Sequence, residues 1–196
     1  MWFKDVELES KNVKLVPLTM DHKEALVEAA IDGELWELWF TSVPNSESIT
    51  DYISTALEQK TKGLALPFVV IEKSNGKVVG STRFCNADPT NKRVEIGYTW
   101  YGKSYQKTPC NTECKLLLLA HAFESLDAIA VEFRTSWHNQ ASRAAIARLG
   151  AKQDGVLRNH QKMPNGGYRD TVVFSIINIE WLSVKESLEF KLSTHS

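Results

Sequence analysis

No apolar run in these 196 residues is long enough to cross a bilayer; the most apolar stretch, Leu116 to Ala120, is barely more than one helical turn. The start, MWFKDVELES, has no apolar core of the kind a secretory leader needs. A cytoplasmic protein with no membrane partner is therefore expected. An excess of one charge is missing too: Lys and Arg number 23 against 24 Asp and Glu, a net charge of −1, with no long run of either sign. A nucleic-acid or polyanion binder is not expected from such a balance. Cysteine is scarce. Cys85, Cys110 and Cys114 form an odd set without framework spacing, which reads as reduced thiols. Cys110 and Cys114, with His121 further along, share a helical spacing, but metal sites want tighter pairs and more ligands, so no metal is expected. Cys110 near a helix start is a nucleophile to be weighed, although no base adjoins it in the sequence.

What is present suits one α+β domain over residues 1–196: 43% hydrophobic and 24% charged residues, with no repeat, linker or low-complexity tract. NVKLVPLT (12–19) alternates as a strand, and Thr19 caps a helix over MDHKEALVEAAID with Leu26, Ala29 and Ala30 inward. ELWELWFTSVPNS is either a helix packed on the core or the wall of a pocket. ITDYISTALEQKTKG is a helix started by Ser48 or Thr50 and closed by Gly63. PFVVIEK and VVGSTRFCNA form a hairpin, with Asn75-Gly76 supplying positive φ angles. KRVEIGYTW (92–100) and AIAVEFRTSW (128–137) are strands separated by a helix, which favours a parallel crossover. HNQASRAAIARLG is a helix stopped by Gly150. A last hairpin turns through MPNGG, and Trp181, Val184 and Leu188 give the tail a helical stripe.

The segment between those two strands, WYGKSYQKTPCNTECKLLLLAHAF, has the most to say. A helix that opens directly after a strand aims its first N–H groups into the crevice there, a favoured seat for phosphate. Loops of that kind are usually rich in glycine, and this one has none after Gly102. Pro109 cannot donate, but at the first helical position its N–H has no partner to lose, and its φ is already helical. Thr108, pushed out of the α region by the proline, is then the cap. The amides of Cys110, Asn111 and Thr112, the Lys107 ammonium and the side chains of Thr108, Asn111 and Thr112 remain as donors around an anion. Thr-Pro is also a common helix start with no ligand at all.

The order VEIGYTW, QKTPCNTE, VEFRTSWHNQASRAAIARLGA resembles the GNAT N-acetyltransferase superfamily, and within it the branch of ribosomal-protein N-terminal acetyltransferases. The resemblance runs from VKLVPL to DTVVFSIINIEW and is strongest from Gly80 to Gly150. It implies a central mixed, mostly antiparallel sheet with one parallel, splayed strand pair and flanking helices. It also implies acetyl-CoA as co-substrate, with the pyrophosphate on residues 106–112. Gln106 matches the family's loop pattern, whereas Pro109 and Asn111 stand where a glycine and a second small residue are usual. By the same likeness Thr99 and Trp100 bond the pantetheine arm, Asn139 bonds its amide, and Ser142 protonates the departing thiolate. Ordinary helix-start chemistry would account for Asn139 and Ser142 equally well.

Direct acetyl transfer to an amine needs a base, a polarised carbonyl, a neutralised thiolate and aligned reactants. Glu95, two residues before Gly97, is the favoured base. Glu132 on the neighbouring strand is a second choice, and His160 with Asp170 a third that reads better as a cross-strand pair. A backbone N–H near Tyr98 or Thr99 would polarise the carbonyl. The resemblance further implies that Trp36, Trp39 and Phe40 border the acceptor side and favour a substrate with some apolar bulk, either a peptide N-terminus or a small amine. The last hairpin leaves room for a homodimer. The competing function is a CoA-binding or structural protein whose altered loop has weakened or lost catalysis.

Overall fold

The computed structural model describes residues 2–163 and 165–194. Its strands are β1 (Leu8–Glu9), β2 (Val13–Pro17), β3 (Leu66–Glu72), β4 (Val78–Asp88), β5 (Arg93–Tyr101), β6 (Ala130–Ser136), β7 (Lys152–Lys162) and β8 (Tyr168–Ile177). The helices are α1 (Lys23–Ile31), α2 (Ile49–Thr61), α3 (Pro109–Ala120), α4 (Gln140–Arg148) and α5 (Trp181–Ser193). All the strands join one sheet in the order β1-β2-β3-β4-β5-β6-β8-β7. Neighbours are antiparallel except β5 and β6, where α3 carries the chain back to start a parallel strand.

Both faces of the sheet are covered. Phe68, Phe84, Val94, Ile96 and Phe133 form one core cluster with Leu118 and Leu119 of α3, Ile146 of α4 and Val184 and Leu188 of α5. On the other face Val69 and Trp100 pack with Leu26 and Ala30 of α1 and Ile49 and Ile53 of α2. Each large apolar side chain enclosed in this way contributes roughly 1.5–3 kcal/mol of transfer free energy. Helix α3 is also pinned by a polar anchor. The buried Glu113 carboxylate accepts from Asn12 N at 3.1 Å, from Asn12 Nδ2 at 2.5 Å and from the Ser10 hydroxyl. That anchor fixes the position of the α3 start.

Several local features differ from the sequence expectation. Residues 35–41 hold only a single 3-10 turn, Leu35–Glu37, with Leu35 buried and Trp39 60% exposed. Only Gly76 of the Asn75-Gly76 turn takes a positive φ, +71°; Asn75 contributes instead by accepting from the Lys77 N–H at 2.8 Å. The two-residue β1 pairs Leu8 with Leu15, and α3 widens into a π turn over His121–Ser125. The MPNGG turn includes Pro164, which lies outside the described residues; on either side of it Met163 N donates to Gly167 O at 2.8 Å.

Candidate active site

Strands β5 and β6 run together for three rungs only: Arg93 with Ala130, Val94 with Val131, Glu95 with Glu132. Beyond Glu95, β5 pairs only with β4, while β6 from Phe133 onward pairs only with β8. The two facing edges therefore diverge inside the sheet and leave a row of backbone donors and acceptors unmatched across the gap. Interior strand edges are normally paired, because an unsatisfied backbone group away from water is costly. An elongated ligand carrying amides fits between such edges as a further strand would.

The gap is shaped by a bulge. Arg83 pairs with Gly97 and Ser81 with Trp100, so β5 carries one residue more than β4 across this span. Tyr98 absorbs the extra length at φ +50°, a left-handed conformation that a bulky side chain adopts rarely and at a cost of about 1–3 kcal/mol. Gly97 beside it is closely hemmed: a methyl there would lie 3.1 Å from Glu95 Oε1 and 3.2 Å from Cys85 Sγ.

At the mouth of the gap the chain leaves β5, takes a left-handed step at Lys107 (φ +61°) and enters α3. Thr108 is extended and caps the helix, its hydroxyl accepting from Cys110 N at 3.3 Å while donating to Tyr105 O at 2.7 Å. Pro109 holds the first helical position. In α-helical geometry the N–H of Thr112 starts the intrahelical ladder, so that residue offers an anion its hydroxyl rather than its amide. The Asn111 amide, the long-bonded Cys110 amide and the positive end of the helix dipole remain. Gln106 turns back to the strand, donating from Nε2 to Tyr101 O at 3.1 Å, and thereby holds the loop against the end of β5.

Asn139 caps α4, its Oδ1 accepting from Ser142 N at 3.0 Å. This is the ordinary helix-start use, and it leaves the Asn139 amide NH2 without a hydrogen bond among the described residues. Ser142 is half-buried, and its hydroxyl makes no hydrogen bond among the described residues.

The two strand carboxylates sit in opposite settings. Glu95 is 8% exposed and accepts from Asn86 Nδ2 at 2.8 Å, with Arg134 Nε at 3.5 Å. Burial outweighs these partners and pushes its carboxyl above the usual range. It lines a pocket of about 180 Å³ with Asn86, Arg93, Glu132 and Arg134. Glu132 is also desolvated, but Arg93 Nη2 at 2.5 Å and Arg134 Nη2 at 3.0 Å hold it below the usual range. His160 bonds Thr171 Oγ1 at 3.1 Å, and Asp170 is taken by Arg158 at 2.5 Å, so those two do not form a pair. The thiol of Cys110, hydrogen-bonded to Cys114 and buried, is pushed up, the reverse of what a thiolate nucleophile needs.

Sequence reasoning overlooked Lys115 and Arg83. Lys115, 5% exposed, donates to Thr99 Oγ1 at 2.6 Å, and Thr99 Oγ1 lies 2.8 Å from Thr82 Oγ1. Burial lowers its pKa to about 8. Its spacing from Leu118 and Leu119, three and four residues on, was the available sign that it faces inward. Arg83, 1% exposed, lies over the Tyr98 and Tyr52 rings at 3.9 and 4.8 Å.

Comparison with known proteins agrees with this geometry. Residues 12–152 match the acetyltransferase (GNAT) domain family. YdaF of Bacillus subtilis (strain 168), provisionally named a ribosomal N-acetyltransferase, is 31% identical over 107 residues, spanning 55% of this chain and 57% of that protein. The crystal structure of a GCN5-related N-acetyltransferase from Brucella melitensis superposes with a TM-score of 0.85 at 27% identity, over 96% of this chain and 86% of that one. A ribosomal-protein alpha-N-acetyltransferase in complex with Coenzyme A shares the fold at 20% identity and a TM-score of 0.75, over 88% and 98% of the two chains. With residues 12–152 matched, the chain belongs to the GNAT acetyltransferase family, whose co-substrate is acetyl-CoA.

Proposed function

We propose that this protein moves an acetyl group from acetyl-CoA directly to a primary amine, on a peptide N-terminus or a small molecule. The observation that carries this reading is the three-rung ladder of β5 and β6, which opens into a gap with the α3 N-terminus at its mouth. The pyrophosphate is held by the Asn111 and Cys110 amides, the Lys107 ammonium and the Thr112 hydroxyl, with Thr108 as the cap that presents them and Gln106 fixing the loop. Thr99 and Trp100 on one lip and Asn139 beyond the other bond the pantetheine arm. Glu95, raised by burial, accepts the amine proton, directly or through a water in its pocket. The amine nitrogen then attacks the thioester carbon, and an N–H at the Tyr98 bulge stabilises the oxyanion. When the C–S bond breaks, its electron pair stays on sulfur and Ser142 supplies the proton, replaced from solvent as Glu95 releases the one it took, giving the amide and free CoA.

Acetyl-CoA at 100 times its Kd should stabilise the fold by about 2.7 kcal/mol. Release of free thiol with an amine panel should follow. No thermal shift at millimolar acetyl-CoA would remove the reading at its root. A second reading is favoured by one observation: Pro109 has no N–H and the Cys110 amide is partly taken by the Thr108 cap, so the cradle has few donors. A CoA-binding protein without turnover predicts the shift and no thiol release. The free thiols of Cys85, Cys110 and Cys114 suit a reducing cytoplasm, and the final hairpin of β7 and β8 is the surface for a homodimer, which sedimentation would test.

A further inference from the structure

Arg83 is a buried cation without an anion. It is 1% exposed, its Nε and Nη2 are enclosed with no hydrogen-bond partner, and no carboxylate reaches it among the described residues. Two tyrosine rings, Tyr98 at 3.9 Å and Tyr52 at 4.8 Å, lie against the guanidinium. Cation–π contacts offset part of the desolvation of such a group, but ring faces cannot accept its in-plane N–H bonds. Enclosed arginines ordinarily meet a carboxylate or phosphate through those bonds. A second guanidinium belongs to the strands on the other side of the gap. Arg169, at the start of β8, is half-buried with its Nε enclosed and unpartnered, and Tyr98 is its electrostatic neighbour.

These groups stand at the bulge, where Arg83 pairs with Gly97, so they lie beside Glu95 rather than at the pyrophosphate end of the gap. The Trp39 and His138 rings meet at 5.4 Å, tilted by 49°, and tie residues 35–41 to the turn after β6. Tyr98 covers Arg83 and is itself 46% exposed, so rotation of one ring uncovers the guanidinium.

The geometry points to an acceptor that carries a carboxylate close to its amine, the carboxylate bonding Arg83 and Arg169 while the amine faces Glu95. This rests on the acetyl-transfer reading for the place of the amine and adds the chemical class of the acceptor. The carboxylate is either the α-carboxylate of a free amino acid or the side chain of an acidic first residue of a peptide.

Isothermal titration of the CoA-loaded full chain tests this with two matched pairs of probes. Alanine against alaninamide isolates the α-carboxylate, and a glutamate-first peptide amide against its glutamine-first counterpart isolates the side chain. The expected result is at least tenfold tighter binding of the charged member in one pair, and that pair identifies the source. In Arg83→Gln and Arg169→Gln the ratio should fall toward one while CoA affinity holds. Arg83→Lys replaces Arg83→Gln should the latter melt at room temperature, and it should keep part of the preference. Equal affinities within both pairs, or a preference that survives both arginine variants, overturns the inference. Arginine-dependent binding of a charged probe with no thiol release would instead sink acetyl transfer and leave the anion site standing. Turnover of neutral amines with no preference would do the reverse.

Discussion

Glu95 and Glu132 are directly opposite each other on the last rung of the parallel ladder, yet burial raises the first carboxyl and two arginines hold the second down. A base that works near neutral pH wants the first setting, and a permanent counterion for arginine wants the second. Glu95→Gln should therefore remove the acid limb of the kcat/KM profile, whereas Glu132→Gln should leave that limb and weaken the Arg93 and Arg134 contacts. An unchanged acid limb in Glu95→Gln would show that another group is the base.

The same carboxyl makes a stability statement. Its folded pKa lies above the unfolded value, so its contribution is full below the ordinary carboxylate range and is lost as pH rises through the raised value. At neutral pH the ionised side chain is a burden on the fold. Glu95→Gln should melt higher than the parent at pH 7 and lose that advantage under acid conditions, as differential scanning calorimetry would record.

Lys115 has the opposite sign. Its folded pKa of about 8 lies below the ordinary lysine value, so stability rises with pH between the two. Lys115→Met replaces a buried ammonium by an apolar chain of similar length. Urea melts at pH 7 should show a gain of about 1–3 kcal/mol, less whatever the lost Thr99 bond contributes. Because that bond props the bulge strand, kcat should fall about tenfold while CoA affinity holds.

Gly97→Ala probes the room at the bulge. The added methyl meets Glu95 Oε1 and Cys85 Sγ inside ordinary contact distance, and the carboxylate must yield by a few tenths of an ångström. A roughly tenfold or larger loss in kcat is expected, since small displacements of catalytic groups are expensive. The thermal shift with CoA should be unaltered.

Ser142→Ala and Asn139→Ala separate a proton donor from a helix cap. The first should slow the chemical step by roughly 10²-fold with little change in melting or CoA affinity. The second removes the bond to Ser142 N and should cost about 1 kcal/mol of stability as well as cofactor affinity. Equal melting of the two would count against the assigned roles.

The sequence made the helices and long strands readable because their periods are strong: Leu26, Ala29 and Ala30 fall inside α1, and Trp181, Val184 and Leu188 inside α5. Thr108 and Pro109 revealed the start of α3 through local sterics alone. What stayed hidden depends on partners distant in the chain. The Tyr98 bulge exists only as a mismatch between β4 and β5, and a two-residue β1 has too few positions to show a period. The environments of Glu95 and Glu132 look alike in sequence; the difference comes from Arg93 and Arg134 bonding one carboxylate more closely than the other. Arg83 and Lys115 were passed over because charged residues are expected at the surface, and each is buried by elements more than 14 residues away.

Only three ladder rungs, backed by the Arg93–Glu132 and Arg134–Glu95 contacts, join five strands on one side of this sheet to three on the other. Anything that bonds both lips acts as a splint across that seam. Hydrogen exchange at residues 97–101 and 133–136 should slow together, and the protein should stiffen as a whole, when the gap is bridged.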